Sequence, residues 1–187
     1  VKKTFNSIKI CKNEDEIFQN KEIDFVCICS YDNFHFIHVK KAILSKKDIF
    51  VEKPLCSNRK EFDIIKDLIK KSKIKISSNF VLRENSYFKL LKQKIKSGFF
   101  GKIYLIEASY NYGRLEKITN GWRGKIKNYS ITQGGGIHLV DLVKFLTEKN
   151  FAKVVSGGNN ISTKKNGLKF PDCITSIIKL DDGSILN

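Results

Sequence analysis

From residue 24 onward, short apolar runs alternate with amphipathic stretches. "DFVCIC" (24–29) is nearly all apolar and rich in strand formers, which suits a parallel strand buried on both faces. "NFHFIHVKKAILSKK" (33–47) sets Phe36, Val39, Ile43 and Leu44 at helical spacing against a lysine-rich opposite face. "DIFVE" (48–52) is a second strand. "NRKEFDIIKDLIKKSK" (58–73) is a second helix with Phe62, Ile65, Leu68 and Ile69 inward, and "IKISSNF" (74–80) is a third strand. Strands and helices alternating at this spacing predict right-handed crossovers and a doubly wound α/β sheet. Upstream, "NSIKICKNEDEIFQN" (6–20) predicts a short strand and then a helix capped near Asn13.

After residue 80 the character changes. "YFKLLKQKIKSG" (87–98) is a helix ended by Gly98. "KIYLIEASYNYG" (102–113) alternates over a long run, as an antiparallel strand with one wet face does. "NGWRGKIKNYSITQGGG" (120–136) is a long loop with glycines near both ends, a kind of segment that often carries function. "IHLVDLVKFLTEK" (137–149) is a helix, "KVVSGGNNIS" (153–162) and "DCITSIIKL" (172–180) are strands, and "DDG" (181–183) is a hairpin turn. Helices between strands, then mainly antiparallel strands, predict two domains, 1–80 and 81–187.

A chain of 187 residues and 21.5 kDa is long enough for that arrangement and its cores. At 41% hydrophobic residues the composition is not that of a disordered chain. There is no run of 18 apolar residues, so no membrane partner is expected. The first residues, "VKKTFNSIKI", hold neither Met nor a signal-peptide apolar region and read like the middle of a protein. Lys and Arg number 35 against 19 Asp and Glu, a net charge of +16. Such a surface can attract polyanions. The lysines are spread along the whole length, however, and no RNA- or DNA-binding motif or Arg-interleaved aromatic platform accompanies them. Nucleic acid is therefore not the expected partner, and polyanion binding is a minor alternative. Cys11, Cys27, Cys29, Cys56 and Cys173 match no zinc spacing, so no metal is expected. Cys27 and Cys29 share a strand face as small apolar residues. Their odd total and the lack of a secretory signal point to a reducing, cytoplasmic compartment.

The candidate chemistry begins at "FVEKPLCS" (50–57). An apolar strand runs into Glu52–Lys53–Pro54, and charge at that point must find water, a counter-charge or a ligand. Pro54 stops the ladder, and Ser57 is placed to cap the next helix with Glu61 in its first turn. One lysine is thus presented at the carboxyl end of a strand, where open α/β sheets bind ligands. Yet no glycine precedes Gly98, so the Gly-rich turn of a dinucleotide fold is missing.

Three stretches in order resemble the glucose–fructose oxidoreductase / inositol dehydrogenase / MocA family of NAD(P)-dependent dehydrogenases. They are "DFVCICSYDNFHFIHVKKAI", the Glu-Lys-Pro of "FVEKPLCS", and "GGGIHLVDLVKFL", which is similar to a Gly-x-His-x-x-Asp helix. "GFFGKI" (98–103) and "GWRG" (121–124) are similar too. The resemblance implies a partial Rossmann sheet lacking its first β-α-β unit, over 1–80. It implies a truncated substrate-binding and oligomerisation α+β domain over 81–187. On that reading the chain is an internal fragment, inactive and poorly soluble alone, with the phosphate-binding glycines upstream of Val1. The implied activity is hydride transfer between NAD or NADP and a sugar, nucleotide sugar or cyclitol, by an enzyme that is a homo-oligomer when full length.

The resemblance also implies roles. Lys53 and His138 are the catalytic pair, brought together on the substrate hydroxyl. A positioned acid or base contributes roughly 10²–10⁴ in rate, and desolvation beside a nicotinamide equips a lysine to shuttle that proton. Ser30, Asp32, His35, Glu52, Lys53 and Asn79 line the cofactor, and a cis Lys53–Pro54 bond aims the lysine. Tyr31 stands where a proline is usual, and His38 is expected to be plain packing. Arg83, Trp122, Arg123 and Asp141 face substrate; the alternatives are an interdomain salt bridge for Arg83, a packing anchor for Trp122 and a favourable helix-start charge for Asp141. Many relatives carry an Asp four residues before the helix His, where this chain has Gly134. Tyr112, Arg114 and Arg123 are candidates for the missing group. The departure leaves a non-catalytic ligand-binding or regulatory relative as the alternative function.

Overall fold

The computed structural model describes residues 7–126, 129–166, 168 and 170–187. The chain divides into two compact units, Val1–Asn79 and Phe80–Asn187. In the first, α1 (Asp15–Phe18) precedes β1 (Phe25–Ile28), α2 (His35–Leu44), β2 (Asp48–Val51), α3 (Arg59–Lys70) and β3 (Ile76–Ser78). The strands form one parallel sheet in the order β1-β2-β3, with Cys27 opposite Phe50 and Phe50 opposite Ser77. Two successive crossovers carry α2 and α3 to the same face. Val26, Ile28, Ile49 and Val51 point to that face and pack with Val39, Ala42, Ile43 and Ile65. β1 is therefore not buried on both faces as its composition predicts. It alternates, leaving Phe25, Cys27 and Cys29 exposed on the other side.

Several helix predictions shift by one position. Asn58, not Ser57, caps α3 by accepting the Glu61 N–H, and Glu61 reaches back to the Ser57 N–H at 2.8 Å. Ile65, Leu68 and Ile69 face the core, but Phe62 is exposed beneath the Arg59 guanidinium, 5.9 Å away. Leu44, expected inward, is exposed, because Ala42 and Ile43 already fill the contact and the next residue turns about 100° away. No strand forms over 7–12, and the capped helix is a single turn, with Asn13 accepting the Glu16 N–H. Lys47 is buried and donates to the carbonyls of Asn20 and Ile23, both at 2.6 Å, tying that turn to the start of β2.

The second unit holds α4 (Ser86–Lys96), β4 (Leu105–Ile106), α5 (Leu115–Thr119), α6 (Ile137–Thr147), β5 (Phe151–Asn159), β6 (Cys173–Leu180) and β7 (Ile185–Leu186). Its sheet runs β4-β7-β6-β5. The stretch 102–113 is not a long antiparallel strand. Only Leu105–Ile106 is strand, and it pairs parallel to the two-residue β7, so its ladder is as short as its partner. β5 and β6 are antiparallel, and Val143 of α6 packs with Ile178, Leu180 and Leu186 on one face. The expected loop 120–136 contains a 3-10 turn, Trp122–Lys125, and a π-helical turn, Thr132–Gly136, continuous with α6.

Candidate functional site

In the first unit the polar residues gather beyond the carboxyl ends of three adjacent parallel strands. Ser30 and Asp32 follow β1, Glu52 and Lys53 follow β2, and Asn79 follows β3. Neighbouring strands lie about 4.8 Å apart, so these ends span roughly 10 Å. Lys53 follows the middle strand, and the Lys53–Pro54 peptide bond is cis. Asn79 donates to Glu52 Oε1 at 2.6 Å, which fixes the carboxylate across the β2–β3 edge. Ser30, Asp32, Glu52, Lys53 and Asn79 are all half-buried, open enough to meet a ligand.

His35 differs from expectation. Its ring is fully buried, with one nitrogen 2.6 Å from the Pro54 carbonyl oxygen and the other 2.9 Å from that of Ser30. It presents no surface to a cofactor. Instead it staples the turn after β1 to the turn after β2, and so holds the peptide that follows Lys53. His38, one turn along, bonds Ser30 Oγ through Nδ1 at 3.0 Å and stacks on Phe34. Burial pushes its pKa below the ordinary 6.5, against the pull of Glu14. Although Cys29 is largely exposed, partial desolvation raises its thiol pKa, with the Glu52 carboxylate adding to it. Among the described residues no group of three or more His, Cys, Asp and Glu is placed to hold a metal ion.

In the second unit His138 is the second residue of α6. Two of the three glycines before it, Gly134 and Gly135, are packing sites for aromatic rings. A Cβ on Gly134 would collide with the hydroxyl of Tyr129 and lie 2.8 Å from its ring Cζ. A Cβ on Gly135 would lie 2.9 Å from the Tyr110 ring. Tyr110 in turn stacks on His138, with centroids 6.3 Å apart and planes at 24°, and on Tyr112 at 6.1 Å and 14°. An aspartate side chain at residue 134 has no room while Tyr129 is seated there.

Arg83 and Asp141, both expected at substrate, are each other's partners. The guanidinium donates twice to the carboxylate, at 2.8 and 2.5 Å, and lies over the rings of Phe80 and Phe145. The carboxylate raises the Arg83 pKa further. Asp141 thereby ties α6 to the turn Val81–Glu84. Trp122 and Arg123 stack on one another, guanidinium 4.3 Å from ring centroid. Gly121 and Gly124 allow that turn to tuck against the carbonyls ending α5, where a Cβ would collide. Tyr129 and Tyr110 are the residues that sequence reasoning missed. The available signal was the glycine triplet itself, since a helix start without side chains invites something large to pack on its backbone.

The description "Oxidoreductase family, NAD-binding Rossmann fold" matches residues 2–80, and "GFO/IDH/MocA C-terminal domain" matches 88–187. Glucose-6-phosphate 3-dehydrogenase of Bacillus subtilis is 31% identical over 156 residues, which is 80% of this chain and 43% of that protein. Myo-inositol 2-dehydrogenase of Thermotoga maritima is 25% identical over 92% of this chain and 50% of its own length. The structure of scyllo-inositol dehydrogenase from Lactobacillus casei with bound NAD(H) and scyllo-inositol superposes at TM-score 0.79 and 22% identity, covering 94% of this chain and 52% of that one. At that identity the likeness concerns the fold. The chain spans about half the length of the curated relatives it matches. Parallel sheet, cis Glu-Lys-Pro turn and both domain matches place the chain in the GFO/IDH/MocA family of oxidoreductases.

Proposed function

We propose that this chain forms part of an NAD(P)-dependent dehydrogenase acting on a hydroxyl of a sugar, nucleotide sugar or cyclitol. The observation that carries the proposal is Lys53 at the carboxyl end of the middle parallel strand, between Ser30–Asp32 on one side and the Glu52–Asn79 pair on the other. That edge suits a cofactor: its groups are polar, half-buried and borne on a rigid sheet. When bound, the nicotinamide supplies the acceptor or donor of hydride. Lys53 holds or releases the proton of the substrate hydroxyl as the carbon changes oxidation state. Glu52, anchored by Asn79, Ser30 and Asp32 orient the cofactor, and His35 acts at one remove by fixing the Pro54 carbonyl. His138 is the second unit's candidate for binding substrate or for a share in proton transfer.

The test is turnover by the protein that carries this chain, with inositols, hexose phosphates and nucleotide sugars, compared with Lys53→Met. The expected loss in kcat is roughly 10²–10⁴-fold, with NAD(H) still bound as followed by its fluorescence. Unchanged turnover in Lys53→Met overturns the assignment. Absence of turnover on every substrate, with NAD(H) bound, favours the non-catalytic relative.

A further inference from the structure

The stretch after β4 brings aromatic rings to the start of α6. Ile106 and Ala108 pack against the cluster of Val143, Ile178, Leu180 and Leu186, and the Ala108 N–H donates to the Asn187 carbonyl at 2.9 Å. Tyr110 and Tyr112 follow at the same spacing of two, which in an extended chain keeps side chains on one side. Their rings stack, with centroids 6.1 Å apart and planes at 14°. Tyr110 also lies on Gly135, where a Cβ would come within 2.9 Å of its ring, and stacks on His138 at 6.3 Å and 24°. Residues three apart on a helix are neighbours, and helical side chains lean back over the preceding turn. The bare backbone at Gly135 and the ring of His138 therefore offer Tyr110 one continuous seat. The imidazole is the last of three nearly parallel rings. Its Nδ1 is buried, which leaves the opposite edge of the ring for a ligand.

We propose that Tyr110 is the positioning residue of His138: its ring, seated on Gly135 and backed by Tyr112, fixes the plane of the imidazole. A ring nitrogen's lone pair or N–H lies in the ring plane, so fixing the plane fixes the direction from which His138 meets a hydroxyl. The stack also accounts for glycine at residue 135, since a Cβ there crowds the ring of Tyr110. It gives the alternation of 102–113 a use beyond its two-residue strand. The use of the stack rests on the dehydrogenase function proposed above; the stack itself does not.

The test reads the ring C–H signals of His138 by NMR in the protein carrying this chain, assigned by their loss in His138→Asn. Protons facing a neighbouring aromatic ring are moved upfield by its ring current. Tyr110→Leu removes that ring, so the signals move downfield; Tyr110→Phe keeps the ring and leaves them in place. Tyr110 is 46% exposed, so the leucine opens no buried cavity. Gly135→Ala, which pushes the ring aside, moves the signals in the same direction and serves where the leucine variant fails to fold. Signals that stay put in Tyr110→Leu overturn the proposal, whatever the enzyme's activity. In an active enzyme, Tyr110→Leu lowers kcat by about two- to tenfold, the scale of one aromatic pair, with KM changed less, and Tyr110→Phe restores it. Moved signals with kcat unchanged overturn the positioning role. Moved signals in a protein without turnover uphold Tyr110 as the residue that holds the ring and remove the dehydrogenase function instead.

Discussion

His35 and His38 stand three residues apart on one helix, yet their surroundings give them different work. His35 meets two backbone carbonyls and acts as a staple between strand ends. His38 meets one hydroxyl and two aromatic rings, and there burial outweighs Glu14 in setting its charge. Because the folded ring resists protonation while the unfolded ring takes a proton near 6.5, the unfolded chain binds more protons just below that pH. Stability is thus undiminished above 6.5 and falls as the pH drops below it, until the folded ring protonates too. Lys41 and His35 oppose the charge on His38 and Glu14 favours it, so all three set how far the window extends. His38→Gln keeps a hydrogen-bonding group at Ser30 but does not titrate. Denaturant unfolding of the variant between pH 5 and 6.5 is expected to show a shallower pH slope than the parent, by a fraction of one proton. Equal slopes rule out His38 as the source.

Helix α6 shows how an element is fixed by one well-made contact. Arg83 reaches Asp141 with two donors, and the carboxylate side chain keeps only 9% of its exposure. Removing the cation leaves that carboxylate without its partner. Arg83→Leu is expected to destabilise the C-terminal unit by about 1–3 kcal/mol, with the lower half favoured because Arg83 is itself half-exposed. Thermal unfolding followed by circular dichroism measures it, and a change of under about 0.5 kcal/mol, the range of ordinary surface substitutions, means the contact is ornamental. The same element marks the limit of sequence reading. The apolar periodicity of Ile137–Thr147 gave a helix, and strand runs such as "DIFVE" gave strands, because period and β-branching are local properties. Glu52, Lys53 and Asn79 were legible for a similar reason, as charged or polar residues just past apolar strands. The partner of Arg83 lies 58 residues away, and the ring seated on Gly135 is that of Tyr110, far upstream of the loop that holds the glycine. Neither spacing nor periodicity encodes such meetings. Leu105–Ile106 misled for a related reason: alternation over 102–113 records which side chains face water, while strand length is set by how much partner backbone lies alongside.

The charge of the whole chain and its uncovered apolar surface act against each other. In the C-terminal unit the β5–β6 ladder turns one face to α6, while cross-strand partners Val155 and Ile177 on the other face are 63% and 57% exposed. Next to them on that face stand Lys153 and Lys179, also opposite one another. An exposed flat pair of β-branched residues is an association surface, and two facing lysines oppose its use by a second copy. The net charge of +16 adds a general repulsion between copies. Salt separates the two effects, since the screening length falls from about 10 Å at 0.1 M to about 3 Å at 1 M while apolar attraction does not weaken. The isolated chain is therefore expected to sediment near its 21.5 kDa mass in low salt and to associate as salt is raised. The double substitution Val155→Lys and Ile177→Lys puts four lysines on that patch and should hold the chain monomeric at high salt. If the doubly substituted chain associates as readily as the parent, the contact lies elsewhere, and the uncovered face of the first sheet, with Phe25 and Cys27, becomes the surface to alter next.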